Sequence, residues 1–214
     1  EVQNLLPPRK KVVPFLGCVN NAYIYPQSFV FPKGLSNGFV VQAQFFDNDD
    51  ASPKQNKAQV VFYGRFKDTQ FTDSHTTPVC VAGSKWGKFY DEIKINLPIR
   101  LTRKHHVVFS FLQCDVSGGK FKQKVFGYSF MPLLNEKNEV VLKNPDLPVW
   151  AKLAPGYLSN TSNLNALDGG KIMFSLDLHL NSSVYSQAPV LRQVMPLFID
   201  PFGESKNPLK MVQE

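Results

Sequence analysis

Ile172-Met173-Phe174-Ser175-Leu176-Asp177-Leu178-His179-Leu180 is the stretch that decides the fold. Successive side chains of an extended chain point to opposite faces, so Ile172, Phe174, Leu176, Leu178 and Leu180 share one face and Ser175, Asp177 and His179 the other. One face belongs in a core and the other in water. Working outward, the same period returns in Val41, Ala43 and Phe45 with Gln42 and Gln44 between them, and in Ile93, Ile95 and Leu97 among Glu92, Lys94 and Asn96. Val107, Phe109 and Phe111 repeat it around Val108 and Ser110, and weaker runs cover 23–31, 58–63, 77–82 and 125–131. About eight such runs, separated by turn-rich segments, predict an all-β fold: an antiparallel eight-stranded β-sandwich with long loop insertions.

The chain has 214 residues, 43% of them apolar and 13% aromatic, enough for one sizeable core and one domain. We expect that domain over 20–182, after an N-terminal extension, 1–19. A short helix over 189–198, with Pro189 in its first turn, and a tail are expected within 183–214. The irregular stretch 133–170 carries Pro145, Pro148, Pro155 and Gly169-Gly170 and is expected to wrap one side of the sandwich. Cys18, Cys80 and Cys114 are odd in number and widely spaced, which argues against a disulfide framework or a structural zinc site and for reduced, buried thiols. No apolar run is long enough to span a bilayer and no signal-peptide pattern is present, so the chain reads as a piece of a longer intracellular protein. The sequons at Asn160 and Asn181 are then chance matches.

Lys and Arg number 24 against 17 Asp and Glu, a net charge of +7 that favours anionic partners. If every run crosses the sandwich antiparallel to its predecessor, connections alternate between the two ends. One end then receives 32–38, 65–75 and 98–105, with Lys33, Arg65, Lys67, Arg100, Arg103 and Lys104 against Asp68 and Asp73. The other receives 47–57, 83–87 and 115–124, where seven lysines, counting Lys88, face Asp47, Asp49, Asp50 and Asp115. Two of the three connections at the first end contain no acid, so that end is the expected phosphate-binding site. Arg supplies bidentate contacts to phosphate oxygens and Lys a mobile point charge. Leu35, Phe66 and Phe71 are candidates for shallow membrane insertion.

Four strings in order carry a family resemblance: Asn21-Ala22-Tyr23-Ile24-Tyr25-Pro26-Gln27-Ser28-Phe29, Tyr90-Asp91-Glu92-Ile93-Lys94-Ile95-Asn96-Leu97-Pro98, His105-His106-Val107-Val108-Phe109-Ser110-Phe111 and Gly127-Tyr128-Ser129-Phe130-Met131-Pro132-Leu133. Across most of 20–182 they resemble the first DOCK homology region, a C2 domain of type II topology in the DOCK family of Rho-family guanine nucleotide exchange factors. Ser182-Ser183-Val184-Tyr185 resembles the zizimin-like and plant-like branches more than the branch that partners with ELMO. The resemblance implies a cytoplasmic module, peripheral at the membrane, that recruits its parent to phosphoinositides through basic loops at one end. The first inter-strand loop is among them, and Lys33 lies in it. The exchange activity of the family resides in a separate region, so this fragment is not expected to be an enzyme, and a Rho-family GTPase is a partner only through the parent. Other domains of the parent are further expected partners.

Other functions fit the sequence less well. A calcium site needs several carboxylates converging from two loops. The connections 32–38 and 98–105 have none, and the run Asp47-Asn48-Asp49-Asp50 falls at the opposite end by the parity count, so membrane binding is expected to be calcium-independent. No metal and no cofactor are expected. Gly83-Ser84-Lys85-Trp86-Gly87-Lys88 has too few residues between its glycines for a phosphate-binding P-loop, and Phe89 stands where Ser or Thr would bind magnesium. His105 and His106, adjacent on a strand, face opposite ways and are expected to be one edge and one packed histidine. A protein-interaction module within the exchange factor remains an alternative. Lys120-Phe121-Lys122-Gln123-Lys124 has the composition of a nucleic-acid contact, but no nucleotide-binding motif accompanies it and nucleic acid is not an expected partner.

Overall fold

Alternation builds two antiparallel sheets whose apolar faces meet. In the computed structural model the described residues are 19–31, 38–64, 71–80, 86–117, 120–136, 139–141 and 144–185, with side chains at 86, 116, 117, 120 and 121 left aside. The expected helix over 189–198 and most of the expected N-terminal extension lie outside them. Among the described residues nine strand segments follow in order: β1 (Asn20–Val30), β2 (Phe39–Phe46), β3 (Ser74–Thr76), β4 (Trp86–Lys88), β5 (Ile93–Asn96), β6 (His106–Ser117), β7 (Lys120–Pro132), β8 (Asp146–Pro148) and β9 (Ile172–Ser182). One sheet has the order β4-β1-β9-β8, with β5 also beside β1, and the other the order β3-β2-β6-β7. β4 pairs with β1 at 28–30 and β5 at 21–24, both antiparallel, so the two follow each other along one strand. The sheets therefore hold eight strand positions, as expected.

The alternation places the core. Val41, Ala43 and Phe45, Val107, Phe109 and Phe111, and Ile93, Ile95 and Leu97 are all buried between the sheets. Phe174 of β9 meets Phe109 and Phe111 of β6 edge-on, at 5.1 and 5.2 Å, and so joins one sheet to the other. Ile172 departs from the expected face: it is 55% exposed, while Met173 is buried, because the β8–β9 register shifts between Leu147 and Pro148.

A second apolar cluster lies on the outer face of the β3-β2-β6-β7 sheet. Phe46, Val108 and Tyr128 pack there against Leu153 and Tyr157, with Trp150, Leu158 and Leu164 around them. The segment 133–170 thus wraps one side of the sandwich as expected, and it also supplies β8. Gly156, at φ +79°, makes the turn that seats the segment, and its N–H donates to the Asp49 carbonyl at 2.7 Å.

Residues 21–181 form one compact unit and the two terminal stretches another. Within the terminal unit, Ser183 N–H donates to the Val19 carbonyl at 2.8 Å and the Ser182 hydroxyl donates to Asn20 Oδ1 at 2.7 Å.

Candidate functional site

Strand register decides which connections share an end. β2 pairs with β6 from Phe39↔Gln113 to Phe46↔His106. The start of β2 therefore lies beside the far end of β6, and the end of β2 beside the start of β6. Val30 pairs with Trp86 and Phe39 with Cys80, so the flanks of 32–37, 81–85 and 118–119 all lie at the first pole. The connection from β5 to β6, with Arg100, Arg103 and Lys104, lies at the second, beside the connection that leaves β2 at Phe46. Seven residue steps along β2 separate the poles by roughly 24 Å.

This corrects the parity count. The run 58–63 does not cross the sandwich: Gln59 N–H bonds to Phe45 O at 2.9 Å, Phe62 makes single bridges to Ile95 and Thr72, and β3 then pairs back along β2 starting at Gln44. One crossing fewer reverses the end of every later connection. The flanks of the Lys33 connection and the connection holding Arg100, Arg103 and Lys104 therefore lie at opposite poles. Phe31 and Gly38, which bracket the connection holding Lys33, are at the opposite pole from Arg103, too far apart for one headgroup to touch both. Lys33, Leu35, Arg65, Phe66 and Lys67 themselves lie outside the described residues.

Arg103 and Lys104 are held at the second pole by a tight turn. His105 N–H donates to the Thr102 carbonyl at 3.0 Å, and His105 Nδ1 accepts the Thr102 N–H at 2.9 Å. The turn exposes both cations, but each has an internal partner. Arg103 Nη2 donates to the Glu136 carbonyl, and Lys104 Nζ is 3.2 Å from Asp50 Oδ1. Arg100 is exposed in the same connection. The acidic run that was expected at the other end thus neighbours these residues. Its carboxylates accept bonds from the protein itself: Gln59 Nε2 donates to Asp47 Oδ2 at 2.7 Å, and Leu158 N–H to Asp49 Oδ2 at 3.1 Å. Phe71, 41% exposed, sits edge-on to Tyr63 at 4.8 Å, next to the bridge between Phe62 and Thr72.

The first pole has a different character. β6 and β7 remain paired as far as Ser117↔Lys120, beyond the last partner of β2, so the hairpin projects from the sandwich. The register shifts between Phe111 and Leu112, opposite Gly127 and Val125, which makes Phe126 the extra residue of a bulge. Phe126 turns inward against Phe29 at 5.9 Å and Phe111 at 5.9 Å. Lys124 and Lys122, two and four residues earlier, continue that inward face past the core. Both are exposed and neither has an ion pair among the described residues; Asp115 lies across the ladder from Lys122. Lys88 of β4, next to the same pole, is exposed as well.

Both histidines are buried, not one edge and one packed. His106 is fully buried, and its Nδ1–H donates to the Lys104 carbonyl at 2.6 Å, which leaves Nε2 to accept the Tyr157 hydroxyl at 2.5 Å. Burial lowers the His106 pKa, more than the Lys104 carbonyl and Asp49 raise it, and burial likewise raises the Tyr157 phenol. Both are neutral and structural. Cys114 is a buried free thiol and Cys80 a half-buried one. No group of three or more metal-ligating side chains occurs among the described residues, and none of their helices is long and apolar enough to cross a membrane.

Residues 15–190 match the family model described as the C2 domain in Dock180 and Zizimin proteins. The chain belongs to the DOCK C2 family. It is 30% identical over 208 residues to zebrafish (Danio rerio) Dedicator of cytokinesis protein 11, covering 87% of this chain and 10% of that protein. It is 32% identical over 199 residues to human (Homo sapiens) Dedicator of cytokinesis protein 9, covering 83% of this chain and 9% of the relative. Human Dedicator of cytokinesis protein 8 is 31% identical over 195 residues, covering 85% and 9%. This DOCK-type C2 domain therefore spans about a tenth of the length of the curated relatives it matches. The strings read from the sequence, from Asn21 to Leu133, fall inside the matched range.

Proposed function

We propose that this C2 domain attaches a DOCK-type guanine nucleotide exchange factor for Rho-family GTPases to anionic, phosphoinositide-bearing membrane, without calcium and without catalysis of its own. The observation that carries the reading is the projecting β6–β7 hairpin, with Lys122 and Lys124 on one exposed face at the pole where the connection holding Lys33 begins and ends. Lys88 and Lys33 complete the proposed headgroup contacts. Each basic side chain near an anionic surface contributes about 1 kcal/mol, so four give roughly 4 kcal/mol, a weak and salt-sensitive attachment. Arg100, Arg103 and Lys104 are assigned to the opposite pole, where the Glu136 carbonyl and Asp50 engage two of them. Calcium independence is supported by Asp47 and Asp49, whose oxygens already accept protein donors. The parent is proposed to be cytoplasmic and peripheral at the membrane, with its GTPase engaged by another region.

Cosedimentation with phosphatidylcholine vesicles that contain phosphatidylserine, with or without phosphoinositide at matched charge, tests this reading. Reversing Lys122 and Lys124 to Glu removes two attractions and adds two repulsions, so affinity for phosphoinositide vesicles, read from recovery against lipid concentration, falls by roughly 30- to 1000-fold. Arg100→Glu with Arg103→Glu leaves recovery unchanged. If the second pair abolishes binding and the first does not, the assignment of poles is wrong; equal recovery on both vesicle types leaves only general electrostatics.

A further inference from the structure

The outer face of the β3-β2-β6-β7 sheet is only partly covered. Next to the apolar cluster under Tyr157, Gln42, Gln44, Ser110, Val125 and Tyr128 line a cavity of about 440 Å³, bounded on its other side by the 53–60 turn and Asp73. Gln42 lies opposite Ser110, and Ser110 opposite Tyr128, so an amide, a hydroxyl and a phenol form one row across three strands. Ser110 is 5% and Tyr128 7% exposed, and neither hydroxyl has a hydrogen-bond partner among the described residues. Buried polar groups are nearly always satisfied, so two unpartnered hydroxyls on one cavity wall call for a ligand or water that bonds them. Burial raises the Tyr128 pKa, which keeps the phenol a donor. The amides of Gln42 and Gln44 are likewise unpartnered among the described residues.

At the rim, Lys54 and Lys57 are exposed and without ion pairs among the described residues, while Asp73 holds the Ser74 hydroxyl at 3.0 Å. The wall therefore offers donors and acceptors together, with positive charge at the rim. A polyphosphate would use only the donors and would meet the glutamine carbonyls and Asp73. An extended peptide uses both, because its backbone presents N–H and C=O groups along each edge. Gln42 and Gln44, two residues apart on one strand face, stand roughly 7 Å from each other, the repeat of an extended chain.

We propose that this cavity is a docking site for an extended, acidic peptide segment, whose backbone pairs with Gln42, Gln44, Ser110 and Tyr128 and whose carboxylates meet Lys54 and Lys57. The site is separate from the proposed membrane-binding pole, and its lysines are not among those assigned to lipid.

The test is a titration of the ¹⁵N-labelled chain with a blocked seven-residue peptide of alternating serine and glutamate. Its lysine-for-glutamate counterpart and inositol hexakisphosphate serve as separate probes. The glutamate peptide is expected to shift the amide signals of Gln42, Gln44, Ser110 and Tyr128. Its affinity should fall by roughly tenfold in Lys54→Glu with Lys57→Glu, two exposed positions whose reversal leaves the spectrum otherwise intact. Lys122→Glu with Lys124→Glu should leave the affinity unchanged. Equal binding of the two peptides overturns the charge argument. Shifts at these four residues with the phosphate probe but not with the glutamate peptide overturn the ligand class, and no shift there with any probe overturns the site.

Discussion

Replacing Tyr157 by Phe removes one oxygen, and the structure says what that oxygen does. The phenol donates to His106 Nε2 at 2.5 Å, and the other ring nitrogen of His106 is committed to the Lys104 carbonyl at 2.6 Å. His106 is fully buried and Tyr157 1% exposed, so no bulk water replaces the lost donor. The phenylalanine ring keeps its edge contact with His106 and its tilted contact with Phe130, both at 5.3 Å, so little packing is lost. The expected cost is that of a buried acceptor left without its donor, about 1–3 kcal/mol. Tyr157→Ala loses the ring as well, at about 3–5 kcal/mol, a large share of the roughly 5–15 kcal/mol by which a domain is usually stable. Urea unfolding at pH 7.5 measures both, with an unchanged slope confirming that the midpoint shift is a stability change. A Tyr157→Phe loss below about 0.5 kcal/mol would refute the view that this hydrogen bond pins the 150–164 segment to the sheet.

The same histidine sets an acid response. Because burial lowers its folded pKa below the unfolded value near 6.5, the unfolded chain gains a proton first, so stability falls as pH drops below about 6.5, by up to about 1.4 kcal/mol per pH unit. Urea midpoints that rise between pH 7.5 and 5.5 would contradict this. Gly127→Ala places a Cβ 2.7 Å from Val149 Cγ1 and 3.3 Å from the Trp150 carbonyl, and overpacking of this kind should cost about 1–3 kcal/mol in the same assay. Lys104→Ala should change stability by less than about 1 kcal/mol, because Lys104 and Asp50 are both well exposed; a larger loss would show that this pole depends on its ion pair. Vesicle binding should be the same in calcium and in chelator, and a calcium-dependent gain in cosedimentation would mean that Asp47 and Asp49 exchange their protein donors for a cation.

What could be read from the residues in advance was whatever is encoded locally. A strand face needs only its own alternation, so Val41, Ala43 and Phe45, or Ile93 and Ile95, point inward as their spacing requires. The outer apolar cluster also left a local trace that alternation alone passes over. Phe46 follows Phe45 and Val108 follows Val107, and a strand apolar on both faces is one covered on both faces. Those doubled pairs mark where the 150–164 segment lies, and they explain why His106, on the same outer face, is buried as well. The poles were not legible, because an end is a count of crossings and one miscount propagates. Residues 58–63 have the composition of a strand, yet Phe62 forms only single bridges there, and that difference moves Arg103 to the pole opposite the flanks of the Lys33 connection. The face of Lys122 and Lys124 depends on one more non-local fact, the bulge at Phe126. Were Phe126 paired within the ladder instead of bulged out of it, the same alternation would carry those lysines onto the outer face of the sheet, away from the mouth of the sandwich. Inserting one alanine between Lys124 and Val125 would therefore turn Lys122 and Lys124 outward together, and loss of vesicle binding in a variant that still folds would tie the proposed site to the facing of these side chains, since their number and charge are unchanged.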